Sequence, residues 1–185
     1  DRFALKGEPL GQTHLVKHNI DTQNNPPIHS KYFRVEHTMR EKMRKTVDEM
    51  LVDKVITPST SPWASPLFLI AKKDGGMRPV VDYRKLNEVT RTQVYPLPHM
   101  DDYFDALGSA KFFSTLDLKS GYWQIPMDDQ SREKTAFTCP IGHFEFTVMP
   151  FGIKNAPAEF QRLMEIVLSG LNWKKCLVYI DDIIV

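Results

Sequence analysis

Met39, Met43, Val47, Met50, Leu51 and Val55 fall on one stripe of a helix. Thr38 followed by Glu41 has the form of a capping box at its start, and Thr57-Pro58 is expected to end it. Prolines at 58, 62 and 66 among serines and threonines then predict an irregular loop. Residues 67–72 and 78–83 are apolar, strand-like runs around Asp74-Gly75-Gly76, which reads as a β-hairpin. A short helix is expected at 97–107, closed by Gly108, and a strand at 112–117 that ends on a carboxylate. Residues 134–139 and 143–148 form a second hairpin around Pro140-Ile141-Gly142. Ala156, Phe160, Leu163, Met164, Val167 and Leu168 give another helical stripe, closed by Gly170. The last element is an apolar strand at 176–180, then Asp181-Asp182, then Ile183-Ile184-Val185: a hairpin with two carboxylates at its turn. Its second arm stops after three residues and would leave an unpaired edge, so the chain is expected to be a piece of a longer protein. Residues 1–30 lack periodicity and read as a linker or extended arm.

Composition narrows the class. A chain of 185 residues suffices for one large domain or two small ones. With 42% hydrophobic and 25% charged residues it can bury a core, which excludes a disordered, collagen-like or coiled-coil chain. No apolar run is long enough to span a membrane, no secretory h-region opens the sequence, and no membrane partner is expected. Cys139 and Cys176 are the only cysteines, which excludes a disulfide scaffold and a Cys-based zinc site and suits a reducing cytosol. His14 and His18 are four apart, but no HExxH pattern or acidic partner accompanies them. The net charge of +1 says little, but residues 72–91 carry six basic and three acidic side chains and residues 101–135 four basic and seven acidic. That distribution fits an anion-binding surface beside a cation-binding one, or plain surface scatter.

Three adjacent Asp pairs occur, and context separates them. Asp101-Asp102 opens a predicted helix, where acids favour the dipole, and Asp128-Asp129 precedes a polar turn. Asp181-Asp182 instead lies between two apolar strands, where adjacent charges repel unless cations neutralise them. Asp117 also ends an apolar strand and is the natural third ligand. Hard oxygen ligands suit Mg²⁺. Two such ions about 4 Å apart can clamp the attacking and leaving oxygens of a phosphoryl displacement.

These residues resemble a known family. Tyr179-Ile180-Asp181-Asp182 after an apolar strand is similar to the YxDD motif of reverse transcriptases. The segment from Phe113 to Ile125, with Leu116-Asp117-Leu118-Lys119-Ser120-Gly121-Tyr122-Trp123 at its centre, resembles their first catalytic-aspartate motif. Met149-Pro150-Phe151-Gly152-Ile153-Lys154-Asn155-Ala156-Pro157 resembles the nucleotide-pocket segment, and Arg78-Pro79-Val80-Val81-Asp82-Tyr83-Arg84-Lys85-Leu86-Asn87 the fingers motif. The blocks keep the family's order and cover roughly residues 28–185. Their wording is most similar to gypsy-type LTR retrotransposon Pol polyproteins, and His18-Asn19-Ile20-Asp21-Thr22 looks like the protease-to-polymerase junction.

The resemblance implies an α+β fold of fingers and palm, with an antiparallel palm sheet, helices on one of its faces, and truncation at the catalytic hairpin. Residues 31–110 would be mainly fingers, and 111–185 mainly palm with a fingers insertion. It implies an RNA-directed and DNA-directed DNA polymerase, a nucleotidyltransferase of a retrotransposon. Asp117, Asp181 and Asp182 would be the catalytic residues and the ligands of two Mg²⁺ ions, with Mn²⁺ as a substitute. Lys72, Arg78, Tyr122 and Phe151 match dNTP-contacting positions. Lys73 could replace Lys72 because the turn is one residue shorter than in some retroviral relatives. Tyr122 matches the steric gate against a 2′-hydroxyl. Phe151 departs from the Gln of retroviral enzymes, so stacking must replace a hydrogen bond. Phe68, Arg84 and Gly152 match template-contacting positions, and Trp63 and Trp123 read as packing residues. Implied partners are an RNA or DNA template with its primer, dNTPs, and the remainder of the Pol polyprotein (thumb and RNase H). The implied location is the cytoplasm or a virus-like particle. Two other readings compete: a catalytically inactive fragment or relic that at most binds nucleic acid, and a metal-dependent hydrolase using the same aspartates, which lacks an evident general base.

Overall fold

Residues 10–30 run extended over a surface instead of hanging free. Val16, His18, Ile20 and Thr22 are buried while Lys17 and Asn19 between them are exposed, the period-2 alternation of a strand. The His18 N–H donates to the Pro126 carbonyl, and the Asp128 N–H donates back to the His18 carbonyl, each at 2.9 Å. The computed structural model describes residues 10–71, 76–108 and 110–185. It forms two units interleaved along the chain, 1–91 with 122–154 and 92–121 with 155–185.

The first unit is built on a five-stranded sheet. Its strands are β1 (Ile56–Pro58), β2 (Ser65–Ala71), β3 (Met77–Val81), β5 (Phe137–Cys139) and β6 (Gly142–Phe146), in the order β1-β6-β5-β2-β3. β4 belongs to the second unit. The two expected hairpins are present, with Leu67 opposite Val81 and Phe137 opposite Phe144. Parallel pairing of β2 with β5, Ser65 opposite Phe137, fuses them into one sheet. Phe137 is fully buried and touches Phe144 and Phe146 at ring distances of 5.7 and 5.3 Å. Tyr83 is buried too; its hydroxyl donates to the Thr135 carbonyl at 2.7 Å, and desolvation pushes the phenol well above its usual pKa.

Helix α1 (His37–Val52) buries Met43, Val47 and Met50 as expected, but its ends differ from the sequence reading. It begins before Thr38, with Glu36 in extended backbone as N-cap and no side-chain cap bond. The Glu36 carbonyl already accepts the Met39 and Arg40 amides, so Thr38 sits inside the first turn and has no capping role. The helix ends at Val52, not at Pro58. Lys54 turns the chain at φ 56°, and Ile56–Pro58 pairs with β6. Pro58 is tolerated because β1 is the sheet's edge, where a missing N–H costs no ladder bond. Helix α2 (Arg84–Val89) follows β3, and the short α4 (Asp129–Arg132) is capped by the Asp128 carboxylate, which accepts the Gln130 N–H. The Asp128-Asp129 pair is therefore structural.

The second unit holds α3 (Met100–Leu107), β4 (Thr115–Asp117), α5 (Ala156–Val167), β7 (Leu177–Tyr179) and β8 (Asp182–Ile184). Its sheet is wholly antiparallel, in the order β4-β8-β7. Asp101 and Asp102 lie in the first turn of α3, where the helix dipole favours them. Asn155 precedes α5 and Pro157 occupies its first turn, where proline loses no hydrogen bond. α5 buries Phe160, Leu163 and Met164 and packs on β7. No helix among the described residues is long and apolar enough to cross a membrane.

Candidate active site

The three aspartates on which the sequence reading turns all lie in the second unit, at one end of its sheet. Asp117 ends β4 and is the register partner of Asp182, which begins β8. Such partners have Cα atoms about 4.5–5.5 Å apart. Asp182 is also opposite Tyr179, so Ile180 and Asp181 form a two-residue turn. Asp117 and Asp182 are exposed and Asp181 is half-buried. Among the described residues no lysine or arginine forms an ion pair with any of the three. The side chains do not converge: among the described residues no three acidic, His or Cys groups stand close enough to hold a metal ion. As a donor set, three carboxylates that pair with no lysine or arginine among the described residues fit a hard divalent ion.

The turn has an unusual backbone. Ile180 adopts φ 55°, a conformation ordinarily left to glycine and costly for a β-branched residue. Gln161 of α5, fully buried, meets it: its side-chain oxygen accepts the Ile180 N–H at 2.7 Å. The Gln161 amide nitrogen donates to the Val178 carbonyl at 3.1 Å and to the Glu165 carboxylate at 2.9 Å. Tyr103 of α3 donates its hydroxyl to the same Val178 carbonyl at 2.6 Å and lies edge-on to Tyr179 at 6.4 Å. Tyr95 donates to Glu165 at 2.6 Å, which pushes its phenol up to about 12. Gln161, Tyr103, Glu165 and Tyr95 were not among the residues expected at the site.

In the first unit, three of the four expected dNTP residues form one stack. The Tyr122 and Phe151 rings are 5.0 Å apart and nearly parallel, and the Arg78 guanidinium lies 5.3 Å from the Phe151 centroid. An arginine over an aromatic face is a cation–π pair. Lys72 and its alternative Lys73 lie outside the described residues. Trp123 packs against Phe151 at 6.3 Å, and Trp63 is buried.

The expected template residues have separate neighbours. Phe68 meets Phe33 edge-on at 6.3 Å. Arg84 makes a two-pronged contact with Asp82, at 2.8 and 2.7 Å, which holds the Asp82 carboxyl below its usual pKa. Gly152 has φ 90°, which explains a glycine there. Asn87 pins this segment: its amide nitrogen donates to the Gly152 carbonyl at 2.8 Å and its oxygen accepts the Lys154 N–H at 2.9 Å. Asn87 belongs to the 78–87 motif, but no neighbouring residue signals this task.

An antiparallel sheet places Asp117, Asp181 and Asp182 at one hairpin end, the arrangement expected of a palm-type sheet. Comparison with known proteins gives the family. Residues 70–185 match the family described as "Reverse transcriptase (RNA-dependent DNA polymerase)". The chain is 44% identical over 185 residues to the retrovirus-related Pol polyprotein from transposon 297 of Drosophila melanogaster, covering 97% of this chain and 18% of that protein. It is 39% identical over 189 residues to the corresponding polyprotein from transposon gypsy of the same organism, covering 99% of this chain and 18% of that one. Among solved structures, the foamy viral protease-reverse transcriptase in complex with an RNA/DNA hybrid matches 94% of the chain and 23% of its own, with a TM-score of 0.80 and 27% identity. The chain thus spans about a fifth of the length of the relatives it matches. It belongs to the reverse transcriptase family, as the four sequence blocks implied.

Proposed function

We propose that this chain is the fingers and palm part of an RNA- and DNA-directed DNA polymerase of a gypsy-type retrotransposon. In this reading the first unit is fingers and the second is palm. The observation that carries it is the register pairing of Asp117 with Asp182 beside Asp181, with no lysine or arginine among the described residues paired to any of the three. Two divalent ions, Mg²⁺ or Mn²⁺, would be held by these carboxylates and would supply charge neutralisation at the attacking and leaving oxygens. In the reaction the primer 3′-hydroxyl loses its proton and attacks the α-phosphorus of a dNTP, and pyrophosphate leaves with the bonding pair. The chain's own residues position and neutralise. Arg78 offers a planar guanidinium to triphosphate oxygens, and Lys72 would add a point charge. Phe151 holds the Tyr122 ring by stacking. For Arg84, a template phosphate would have to compete with Asp82 for the guanidinium fork. Template, primer, dNTPs and the rest of a Pol polyprotein, including thumb and RNase H, are the proposed partners.

Primer extension on RNA and DNA templates tests the proposal, best with the chain carried in a Pol-length polypeptide. Incorporation should require Mg²⁺ or Mn²⁺, stop on chelation and return when the ion is restored. Binding of template-primer without incorporation would favour an inactive relic. Release of nucleotides from the strand would favour a hydrolase. The Tyr122 assignment has its own test. Tyr122→Val should lower the preference for dNTPs over ribonucleotides, measured as a ratio of kcat/KM values, by about tenfold or more. An unchanged ratio would return Tyr122 to a packing role against Phe151.

A further inference from the structure

We infer that Gln161 is the positioning residue of the carboxylate hairpin, a clamp that holds Ile180 in the left-handed conformation and so sets the direction of Asp181 and Asp182. The inference rests on the proposed metal-binding role of those aspartates for its consequence, but not for its geometry. Two-residue hairpin turns with positive φ at the first position ordinarily place glycine, asparagine or aspartate there, since a branched Cβ is penalised. Here the position holds isoleucine at φ 55°. A conformation of this kind persists only where its surroundings over-determine it.

Gln161 supplies that determination from both sides of its amide. Its oxygen accepts the Ile180 N–H at 2.7 Å, which fixes the peptide entering the turn. Its nitrogen donates to the Val178 carbonyl two residues earlier, which fixes the strand leading to it. The second amide proton goes to Glu165 one helical turn on, and Tyr95 donates to the other Glu165 oxygen. This chain of bonds prevents the Gln161 amide from rotating and exchanging its oxygen for its nitrogen. The residue before it, Phe160, lies against Gly121, four residues after Asp117. Two consecutive residues of α5 therefore touch the carboxylate hairpin and the segment that follows Asp117.

Amide hydrogen exchange on the 185-residue chain reads the clamp directly. Gln161→Met keeps the length of the side chain and removes both polar atoms. It should speed exchange at the residue-180 amide by about tenfold or more, while the α5 amides of Leu163 and Met164 stay protected. The same substitution in an Ile180→Gly background should change turn stability far less, because glycine needs no clamp at that φ. Titration with Mn²⁺, followed by the loss of the free-ion electron paramagnetic resonance signal, reads the consequence: Gln161→Met should weaken binding at least several-fold. Unchanged exchange at residue 180 would overturn the inference. So would protection lost throughout α5, which would make Gln161 a core-packing residue, or equal effects in the Ile180 and Ile180→Gly backgrounds. Mn²⁺ bound equally well by wild type and Gln161→Met would overturn the positioning role. If neither chain binds Mn²⁺ while the exchange results hold, the clamp stands and the metal reading of the aspartates falls.

Discussion

Asp117→Asn is expected to abolish nucleotide incorporation while leaving the metal-free protein as stable as the wild type, or more so. The two effects have opposite signs because one arrangement causes both. Asp117 faces Asp182 directly across two antiparallel strands. Like charges placed opposite each other on a sheet are destabilising, by about 0.2–1 kcal/mol. Both residues are exposed, so salt screens part of that repulsion and the gain is largest at low ionic strength. Asn keeps the shape, the strand and the register, and removes the repulsion. The same change takes away a charge that a phosphoryl-transfer site needs at its centre. Removing one preorganised electrostatic element typically costs about 10²–10³ in rate, and a lost metal ligand belongs at the upper end of that range. A third readout connects the two. Mg²⁺ should raise the unfolding temperature of the wild type by mass action and leave Asp117→Asn largely unmoved. Primer extension and thermal unfolding, each with and without Mg²⁺, decide the matter. If Asp117→Asn incorporates nucleotides at near wild-type rate, Asp117 is not a ligand. If the metal-free variant is clearly less stable, its role is structural.

How much of this site could be read from the sequence depends on the range of the interaction concerned. The contexts of Asp101-Asp102 and Asp128-Asp129 are local, and their places at helix starts were legible from neighbouring residues. The pairing of Asp117 with Asp182 joins segments 65 residues apart, so only the family resemblance brought them together before the fold was known. The parallel bond between β2 and β5 was hidden for the same reason, and for a second: it is two residue pairs long and includes Pro66. β1 was hidden by its brevity and by Pro58, which reads as a helix stop unless the strand is known to be an edge. The arm at 16–22 did carry a signal. Its buried positions alternate, but His18 and Thr22 fill two of them, and a hydropathy pattern counts those as polar.

Gln161 is the most instructive omission. It shares a face of α5 with Met164, at a spacing of three, so a polar residue stood at a core position of the helical stripe. A buried amide must find partners, and its presence there predicts something polar on the opposing element. No local rule says that the partner is the backbone of a hairpin turn 19 residues away. Ile180 was equally silent, because isoleucine inside an apolar strand reads as strand. Its φ becomes visible only when Tyr179 and Asp182 pair and leave two residues to reverse the chain.

Gly121→Ala is expected to destabilise the protein by about 1–3 kcal/mol, the usual cost of forcing a methyl group into a packed core. Gly121 is buried and its φ is not positive, so the demand for glycine is one of space rather than of backbone conformation. A Cβ there would stand 2.6 Å from Phe160 Cζ and 3.2 and 3.4 Å from the ring's ε carbons. The ring cannot swing aside at little cost, because Phe160 is itself 2% exposed and held on all sides. Elsewhere a glycine-to-alanine change gains about 0.4–1 kcal/mol by restricting the unfolded chain, and that gain is too small to reverse the sign. Urea unfolding measures the loss. Phe160→Leu identifies its source: in that background Gly121→Ala should cost much less, giving a coupling of at least about 1 kcal/mol in the double-mutant cycle. Gly121→Ala as stable as wild type, or a cost that simply adds to that of Phe160→Leu, would show that the contact is not what requires glycine. A Phe160 ring pushed away from residue 121 would pull on the α5 backbone next to Gln161, so Gly121→Ala should raise exchange at the Ile180 amide as well. A variant with reduced stability and an undisturbed Ile180 amide would mean that the two contacts of α5 act independently.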